Sequence, residues 1–222
     1  MPEFKVIDVN MGVFEINDRI AEENRKQLRE QKTFMLNIMA SPGSGKTTTL
    51  LYIIKALKEK YKIGVMEADI DATVDAETME NAGVRSIQVH TNGECAMDAA
   101  MTKQALEQFP TEDLDLLFLE NIGNLVCPAE TDVGASKKME ILSVPEGDDK
   151  PLKYPLMFTI CDVVLINKID TTDYFPFDFD AVEERIHKLN PDAKIFFVSA
   201  KTGEGMDAFI EWLSNEVDAW NA

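Results

Sequence analysis

Cysteine, histidine and basic residues are scarce in this chain of 222 residues. It has 3 cysteines and 2 histidines, and its 22 Lys and Arg residues stand against 40 Asp and Glu residues. Three cysteines are too few for a disulfide scaffold, so we expect free thiols and a cytoplasmic protein. Cys161 lies in the apolar run FTICDVVLI and is predicted to be buried. The formal net charge of -18 argues against nucleic acid and anionic membranes as partners, because both require clusters of Lys and Arg.

Long apolar runs are also missing. No run approaches the ~20 residues that cross a bilayer. The segment MPEFKVIDVNMGVFEIND lacks the charged-then-apolar plan of a signal peptide. We find no internal repeat and no linker, so we predict a single domain over residues 1–222 with a short N-terminal helical extension.

Short apolar runs alternate with helical stretches along most of the chain. The runs are TFMLNIMA, KIGVMEA, RSIQV, LDLLFLE, DVVLIN and KIFFVS, and helices are predicted at 17–31, 47–61, 75–82, 95–108, 180–189 and 205–218. This alternation is typical of a mainly parallel sheet with helices on both faces. The segment KKMEILSVPEGDDKPLKYP interrupts it, and its Glu-Gly-Asp-Asp turn predicts an inserted hairpin.

The sequence ASPGSGKT, which begins at Ala40, follows the first strand and opens a long helix. This is the setting of a phosphate-binding loop. Gly43 and Gly45 let backbone N–H groups point at phosphate oxygens. Lys46 can reach the β- and γ-phosphates, and the hydroxyl of Thr47 can bind Mg²⁺. The strict consensus begins with Gly rather than Ala, which is a mild departure.

Two motifs at successive strand ends indicate a guanine base. In NKID, the carboxylate of Asp170 can accept from guanine N1–H and its 2-amino group, a donor pair that adenine lacks. Asn167 can address the N7/O6 edge, and the stem of Lys168 can lie over the ring. In SAKTGEG, the N–H of Ala200 would reach guanine O6. The predicted ligand is therefore GTP.

Acidic residues at two strand ends are candidates for the Mg²⁺ side of this site. Glu120 of ENIGN is placed to hold the Mg²⁺ shell, and the N–H of Gly123 can sense the γ-phosphate. In EADIDATVDAE, Asp69 ends a strand and is the favoured ligand, while Asp75 could touch a metal-bound water or orient the attacking water. Asp71 is interpreted as a solvated loop residue. No Gln or Arg finger stands out, so we expect slow intrinsic hydrolysis.

These residues together resemble the HypB family, the GTPases that assist nickel insertion into [NiFe]-hydrogenase, and their relative UreG of urease maturation. The resemblance covers nearly the whole chain and includes NDRIAEENR, SPGSGKT, ENIGNLVCP, LKYP, NKID and SAKTGEG. It implies a three-layer P-loop GTPase fold. It also implies a nickel-delivery partner and a metalloenzyme precursor of the hydrogenase large-subunit type.

The resemblance further implies a GTP-dependent homodimer with a second metal site. Lys153 of LKYP would reach the nucleotide of the other subunit, and it is interpreted as an isolated cation at the end of the acidic segment EGDDKPLK. Cys95 and Cys127 would bind Ni²⁺ or Zn²⁺ at the dimer interface, as four thiolates around a two-fold axis. Cys95 opens a predicted helix, whose dipole would favour metal binding. Cys127 follows Gly123 closely, so a γ-phosphate switch would move its thiolate.

One position departs from the family pattern, which has His directly after the first cysteine. Here that residue is Ala96. His90 is either a substitute ligand or a structural residue, and Met97 is predicted to pack in the core. Two other functions stay open: a GTP-gated scaffold whose dimer recruits a partner, with the cysteines as packing, and a chaperone-like GTPase that protects a cofactor-loaded mutase.

The candidate site residues fall into four groups. Catalytic candidates are Lys46, Asp75 and Glu120. Nucleotide-binding candidates are Gly43, Ser44, Gly45, Lys46, Thr47, Thr48, Gly123, Lys153, Asn167, Lys168, Asp170, Ala200 and Lys201. Magnesium candidates are Thr47, Asp69, Asp75 and Glu120. Nickel or zinc candidates are Cys95 and Cys127.

Overall fold

The computed structural model of this protein describes residues 10–69 and 83–222. The strands are β1 (Phe34–Ala40), β2 (Ile63–Asp69), β3 (Arg85–His90), β4 (Leu116–Glu120), β5 (Lys137–Ser143), β6 (Val163–Asn167) and β7 (Lys194–Phe197). They form one seven-stranded sheet in the order β3-β2-β4-β1-β5-β6-β7. Each neighbouring pair is parallel. The predicted mainly parallel sheet is confirmed.

Helices connect these strands and flank the sheet. The longer ones are α1 (Asn10–Gln31), α2 (Lys46–Leu57), α3 (Ala99–Gln108), α7 (Phe179–Leu189) and α8 (Met206–Asn221), and the short ones are α4 (Cys127–Glu130), α5 (Lys150–Lys153) and α6 (Pro155–Ile160). The helix predicted near 75–82, together with Asp71 and Asp75, lies outside the described residues. In the part of the chain that the structure describes, no helix is long and apolar enough to cross a bilayer.

Helices cover both faces of the sheet, which explains why its central strands are mostly apolar. On one face, α2 and α8 bury residues such as Leu50 and Phe209 against β1, β2, β4 and β5. On the other face, α6 and α7 bury residues such as Phe158, while α1 and α3 contribute Leu28 and Leu106. Each fully buried Leu or Phe side chain contributes roughly 1.5–3 kcal/mol of transfer free energy.

Strand β5 corrects the predicted inserted hairpin. It pairs in parallel with β1 on one side and with β6 on the other, so it lies inside the sheet. Met139 packs with the core under α2 and α8, whereas Leu142 packs with the core under α6 and α7. Burial on both faces requires an internal strand, which a surface hairpin does not provide. The rest of the segment forms a short 3₁₀ turn, Val144–Glu146, followed by α5 and α6.

The carboxyl ends of all seven strands meet at one edge of the sheet because the strands are parallel. The loops after β1, β4, β6 and β7 therefore converge there, which is where ligands bind in open α/β sheets.

Candidate nucleotide and metal site

The phosphate loop turns sharply between β1 and α2. Gly45 caps the helix in a left-handed conformation, with φ 102°. A Cβ atom at Gly45 would lie 2.6 Å from the Nδ2 atom of Asn167, so both the backbone angle and the space require glycine. Asn167 Nδ2 donates to the carbonyl of Ser44 at 3.0 Å, and Lys168 Nζ donates to the carbonyl of Gly43 at 2.6 Å. The loop is therefore held in its turn by the residues that follow β6.

A cavity of about 320 Å³ lies beside this loop. Its lining residues are Gly45, Thr48, Asn167, Lys168, Asp170, Thr171, Ser199, Ala200 and Lys201. Ser199 Oγ donates to Asp170 Oδ1 at 2.7 Å, which orients the carboxylate. Lys168 adopts a left-handed conformation with φ 63°, unusual for a residue with a Cβ and typical of functional turns. The structure thus brings the two predicted base-reading motifs together around one cavity.

Asn167 has a different set of contacts from the one that we expected. Its Oδ1 atom accepts from the N–H of Ala200 at 3.1 Å, while its Nδ2 atom binds Ser44. The side chain is almost completely buried. The amide therefore braces the phosphate loop against the loop after β7. Its contact with the guanine N7/O6 edge stays a prediction.

A second cavity of about 410 Å³ adjoins the other side of the phosphate loop. Its lining residues are Pro42, Gly43, Lys46, Thr47, Glu67, Ala68, Glu120, Asn121, Ile122 and Gly123. Thr47 Oγ1 donates to Glu120 Oε1 at 3.1 Å. Lys46 lines the same cavity, and its positive charge is opposite in sign to that of a carboxylate.

Glu67 is a site residue that sequence reasoning missed. It lies opposite Glu120 in the parallel register of β2 and β4, and both side chains are buried. The available signal was a single acidic residue inside the apolar run KIGVMEA, because an acid in a buried strand requires a partner or a cation. Asp69, the predicted ligand, is the last residue of β2.

The donor set of this cavity fits Mg²⁺. Two carboxylates and one hydroxyl are hard oxygen donors, which Mg²⁺ prefers. They lie within the same cavity as the lysine that the sequence assigns to the phosphates. The residues that would hold the ion are Thr47, Glu120 and Glu67.

The loop after β4 connects this cavity to the cysteines. A Cβ atom at Gly123 would lie 3.2 Å from Lys46 Nζ, so the two residues lie close together. The next residue, Asn124, forms an antiparallel bridge with Ala40 at the root of the phosphate loop. Its Nδ2 atom donates to the carbonyl of Cys95 at 3.4 Å, and its Oδ1 atom accepts from the N–H of Val126 at 2.9 Å.

Cys95 and Cys127 form a disulfide, which corrects the expectation of free thiols. Their Cα atoms lie 6.0 Å apart, within the range that one disulfide spans. Helix α3 begins only at Ala99, where Asp98 caps it by accepting from Met101 N at 2.7 Å. Cys95 therefore lies in a loop before the helix, and the expected dipole effect on its thiol does not apply.

Met97 and His90 are two other residues that the sequence singled out around the cysteines. Met97 is fully buried in the core, as predicted, and His90 lies at the exposed end of β3. Within residues 10–69 and 83–222, no group of three or more His, Cys, Asp or Glu residues is arranged to hold a metal ion. If a metal bound by the cysteines takes a third ligand from His, Cys, Asp or Glu, that ligand must come from outside the described part of one chain.

Comparison with known proteins identifies the family. The profile of the CobW/HypB/UreG nucleotide-binding domain matches residues 34–197. The hydrogenase maturation factor HypB of Escherichia coli is 40% identical over 216 residues, which cover 97% of this chain and 74% of that protein. The probable hydrogenase maturation factor HypB of Methanocaldococcus jannaschii is 38% identical over 212 residues, with 96% of each chain covered. The chain belongs to the HypB family.

Solved structures of HypB proteins have the same fold. HypB from Helicobacter pylori, crystallised in complex with nickel, superposes with a TM-score of 0.86 at 38% identity, covering 91% of this chain and 95% of that one. HypB from Archaeoglobus fulgidus superposes with a TM-score of 0.85 at 36% identity, covering 91% of this chain and 99% of that one. The predicted P-loop fold and the predicted resemblance are confirmed.

Lys153 of this HypB family member is not an isolated cation. Its Nζ atom lies 2.6 Å from Asp149 Oδ2, one helical turn earlier, and both side chains are about half exposed. The sequence placed Lys153 at the end of an acidic segment, and the helical turn of α5 supplies the partner.

Glu140 is a buried acid that the sequence did not single out. It lies in the middle of β5, fully buried, and neither carboxylate oxygen has a hydrogen-bond partner among the described residues. Burial raises the pKa of Glu140 well above its ordinary range, and the neighbouring Glu146 raises it further. Cys161 is fully buried, as predicted, and burial followed by the nearby Glu140 raises the pKa of its thiol.

Proposed function

We propose that the chain is a GTP-hydrolysing metallochaperone that assists nickel insertion into a metalloenzyme precursor, and that this client is an immature [NiFe]-hydrogenase. The observation that carries this proposal is the short path from the phosphate loop to the cysteine pair. Lys46 and Gly123 line the same cavity, and Asn124 joins Ala40 to the Cys95 backbone. Gain or loss of the γ-phosphate would therefore change the positions of both cysteines.

The nucleotide pocket supports GTP as the substrate. Asp170, oriented by Ser199, faces the cavity that Lys168 and Ala200 also line. Lys46 and the N-terminus of α2 would bind the phosphates, because a helix N-terminus favours anions. Mg²⁺, when bound, would neutralise phosphate charge during hydrolysis. No glutamine or arginine finger is among the residues that line the two described cavities, which supports slow intrinsic turnover.

A GTP-dependent homodimer would complete the metal site. Each chain supplies two thiols, and two chains would supply the four that a tetrahedral or square-planar site requires. Val126, beside Cys127, and Leu152, beside Lys153, are 48% and 64% exposed. Removing these apolar side chains from water would favour dimerisation if the interface covers them. The named relatives support nickel and hydrogenase maturation as the client chemistry.

The disulfide favours a second candidate, a GTP-gated scaffold that delivers no metal. In the disulfide, neither sulfur is a thiolate, so the pair cannot hold a metal until it is reduced. Ala96, which offers no imidazole, points in the same direction.

Metal stoichiometry in the reduced protein separates the two candidates. Equilibrium dialysis with Ni²⁺ and with Zn²⁺, in the presence of a non-hydrolysable GTP analogue, should give one metal per dimer for the unaltered protein. Cys127→Ala should lose this metal, whereas the matched Cys161→Ala, which removes the buried thiol, should keep it. If Cys127→Ala retains one metal per dimer at undiminished affinity, Cys127 is not a metal ligand and the proposed metal site is wrong. If the unaltered protein binds no metal, the scaffold function is correct.

A further inference from the structure

Helix α1 lies outside the nucleotide-binding domain that defines the family match, which begins at residue 34. One face of α1 nevertheless packs against the molecule through Asn17, Ala21, Asn24 and Leu28, which recur at helical spacing. Ala21 and Leu28 are completely buried, and Asn24 is only 1% exposed. Two asparagines on a buried helix face call for polar partners, because an unpaired buried amide costs about 1–3 kcal/mol.

Both asparagines bind the same two segments of the chain. Asn17 Nδ2 donates to the carbonyl of Asp132 at 2.9 Å, and Asn17 Oδ1 accepts from the N–H of Ala99 at 2.9 Å. Asn24 Nδ2 donates to the carbonyls of Ala99, at 2.9 Å, and of Val133, at 3.2 Å. Each side chain therefore links the start of α3 to the segment 132–133.

These two segments each follow a cysteine. Cys95 precedes Ala99 by a short loop, and Cys127 opens α4, which leads directly into Asp132. Arg25 on α1 adds an ion pair with Asp132 at 2.7 Å and donates to the carbonyl of Ala135 at 3.2 Å. A Cβ atom at Gly134 would overlap the carbonyl oxygen of Ala21, so the segment approaches α1 as closely as a backbone can.

We propose that Asn17 and Asn24 are positioning residues that hold the two cysteine-bearing segments together, so that Cys95 and Cys127 meet. Two groups held at a fixed separation react or share a ligand with a high effective concentration, because folding has already restricted their motion. The asparagines touch neither sulfur atom. They act through the backbone on each side of the pair, and thereby set its geometry.

The thiol–disulfide equilibrium measures this positioning directly. In the exchange, two protein thiols and one oxidised glutathione give the Cys95–Cys127 disulfide and two reduced glutathiones, so electrons and protons balance. The full-length protein is equilibrated in glutathione buffers, and the remaining thiols are trapped by alkylation and counted by mass. Asn17→Ala should lower the equilibrium constant about tenfold, and Asn17→Asp, which keeps the acceptor for Ala99 N–H, should lower it less.

A matched control lies at the next position of the helix. Asp18→Ala changes an exposed side chain of α1 and should leave the equilibrium unchanged. All variants should bind a GTP analogue as the unaltered protein does, which excludes general loss of the fold. If Asn17→Ala has the same equilibrium constant as Asp18→Ala, the proposal is overturned. It is also overturned if Asn17→Ala loses affinity for the GTP analogue by as large a factor as its thiol–disulfide equilibrium constant falls.

A second measurement tests whether the same residues position a metal site, and this part rests on the proposed function. Co²⁺ added to the reduced protein gives a thiolate-to-metal charge-transfer band, which Asn17→Ala should weaken together with the Co²⁺ affinity. If the unaltered protein shows no such band but the glutathione equilibrium responds to Asn17→Ala, metal delivery is wrong and the positioning role is correct. If the band and affinity are the same in both proteins, the asparagines do not position the metal ligands.

Discussion

Asp170 is the residue on which base selection depends in the proposed GTP pocket. Its carboxylate is oriented by Ser199 and faces the cavity beside the phosphate loop. Asp170→Asn replaces one hydrogen-bond acceptor with a donor, so the binding free energy of GTP should become less favourable by about 1.5–3 kcal/mol. The affinity for xanthosine triphosphate should rise. Calorimetric titration of both nucleotides measures the exchange.

The control for this prediction is Asp173→Asn, which makes the same chemical change at an exposed position nearby. It should leave both affinities unchanged. If the unaltered protein binds ATP as tightly as GTP, the assignment of Asp170 as the base-reading residue is wrong.

Glu140 makes the stability of the protein depend on pH. Its pKa in the folded protein is raised, mainly by burial, so the folded state keeps the carboxyl protonated at pH values where the unfolded chain has released the proton. The contribution of protonated Glu140 to the free energy of unfolding is therefore complete below about pH 4.5, the ordinary pKa of a glutamate. This contribution is lost as the pH rises towards the pKa of Glu140 in the folded protein. Because a single proton is involved, the free energy of unfolding falls by at most about 1.4 kcal/mol per pH unit.

Glu140→Gln removes this titration. The variant should have a higher free energy of unfolding than the unaltered protein at pH 8, and the difference should shrink towards pH 5. Urea unfolding at both pH values measures it, with the exposed Glu211→Gln as the matched control. A constant difference across this pH range would contradict the account.

At the scale of an element, the start of α2 depends on the shape of Gly45. Gly45→Ala would impose a strained φ and a Cβ 2.6 Å from Asn167 Nδ2, which would push aside the amide that braces Ser44 and Ala200. Strain of this kind costs about 1–3 kcal/mol before the displaced brace is counted. Binding of a fluorescent GTP analogue should therefore fall by more than tenfold.

Gly43→Ala separates the strain from the collision. Gly43 also has a positive φ, 78°, but a Cβ atom there would meet nothing within 4 Å. We expect a smaller loss of analogue binding than for Gly45→Ala. Equal losses would mean that the brace by Asn167 is unimportant for nucleotide binding.

At the scale of the whole molecule, charge opposes the proposed homodimer. Each chain has a formal net charge of -18, so two chains repel each other. Lys153, now paired with Asp149, would have to exchange this partner for a phosphate of the other subunit. Lys153→Ala should therefore weaken the GTP-dependent dimer about tenfold or more, as measured by light scattering with the GTP analogue.

Lys188→Ala is the matched control, because Lys188 is also an exposed lysine paired with a carboxylate one turn earlier. It should dimerise as the unaltered protein does. The unaltered dimer should also be tighter at 0.15 M than at 0.01 M salt, because salt screens the repulsion. The same mass with GDP and with the analogue would refute the dimer.

The sequence by itself determined the parallel sheet and the phosphate loop. Apolar runs such as TFMLNIMA indicate buried strands because the length and apolar character of a short run are local properties of the sequence. The loop around Gly45 and Lys46 could be predicted for a similar reason, since its conformation and chemistry are set by neighbouring residues. The packing of Met97 and Cys161 followed from their apolar surroundings.

The tertiary structure decided which distant residues meet. Asn167 braces Ser44 from a position 123 residues away, and Cys127 reaches Cys95 across a separation of 32 residues. Glu67 faces Glu120 only because β2 and β4 are neighbours in this register, and β5 is a strand only because both its faces are covered. Strand order and helix docking are set by the packing of the entire core, so no local stretch of sequence specifies these contacts.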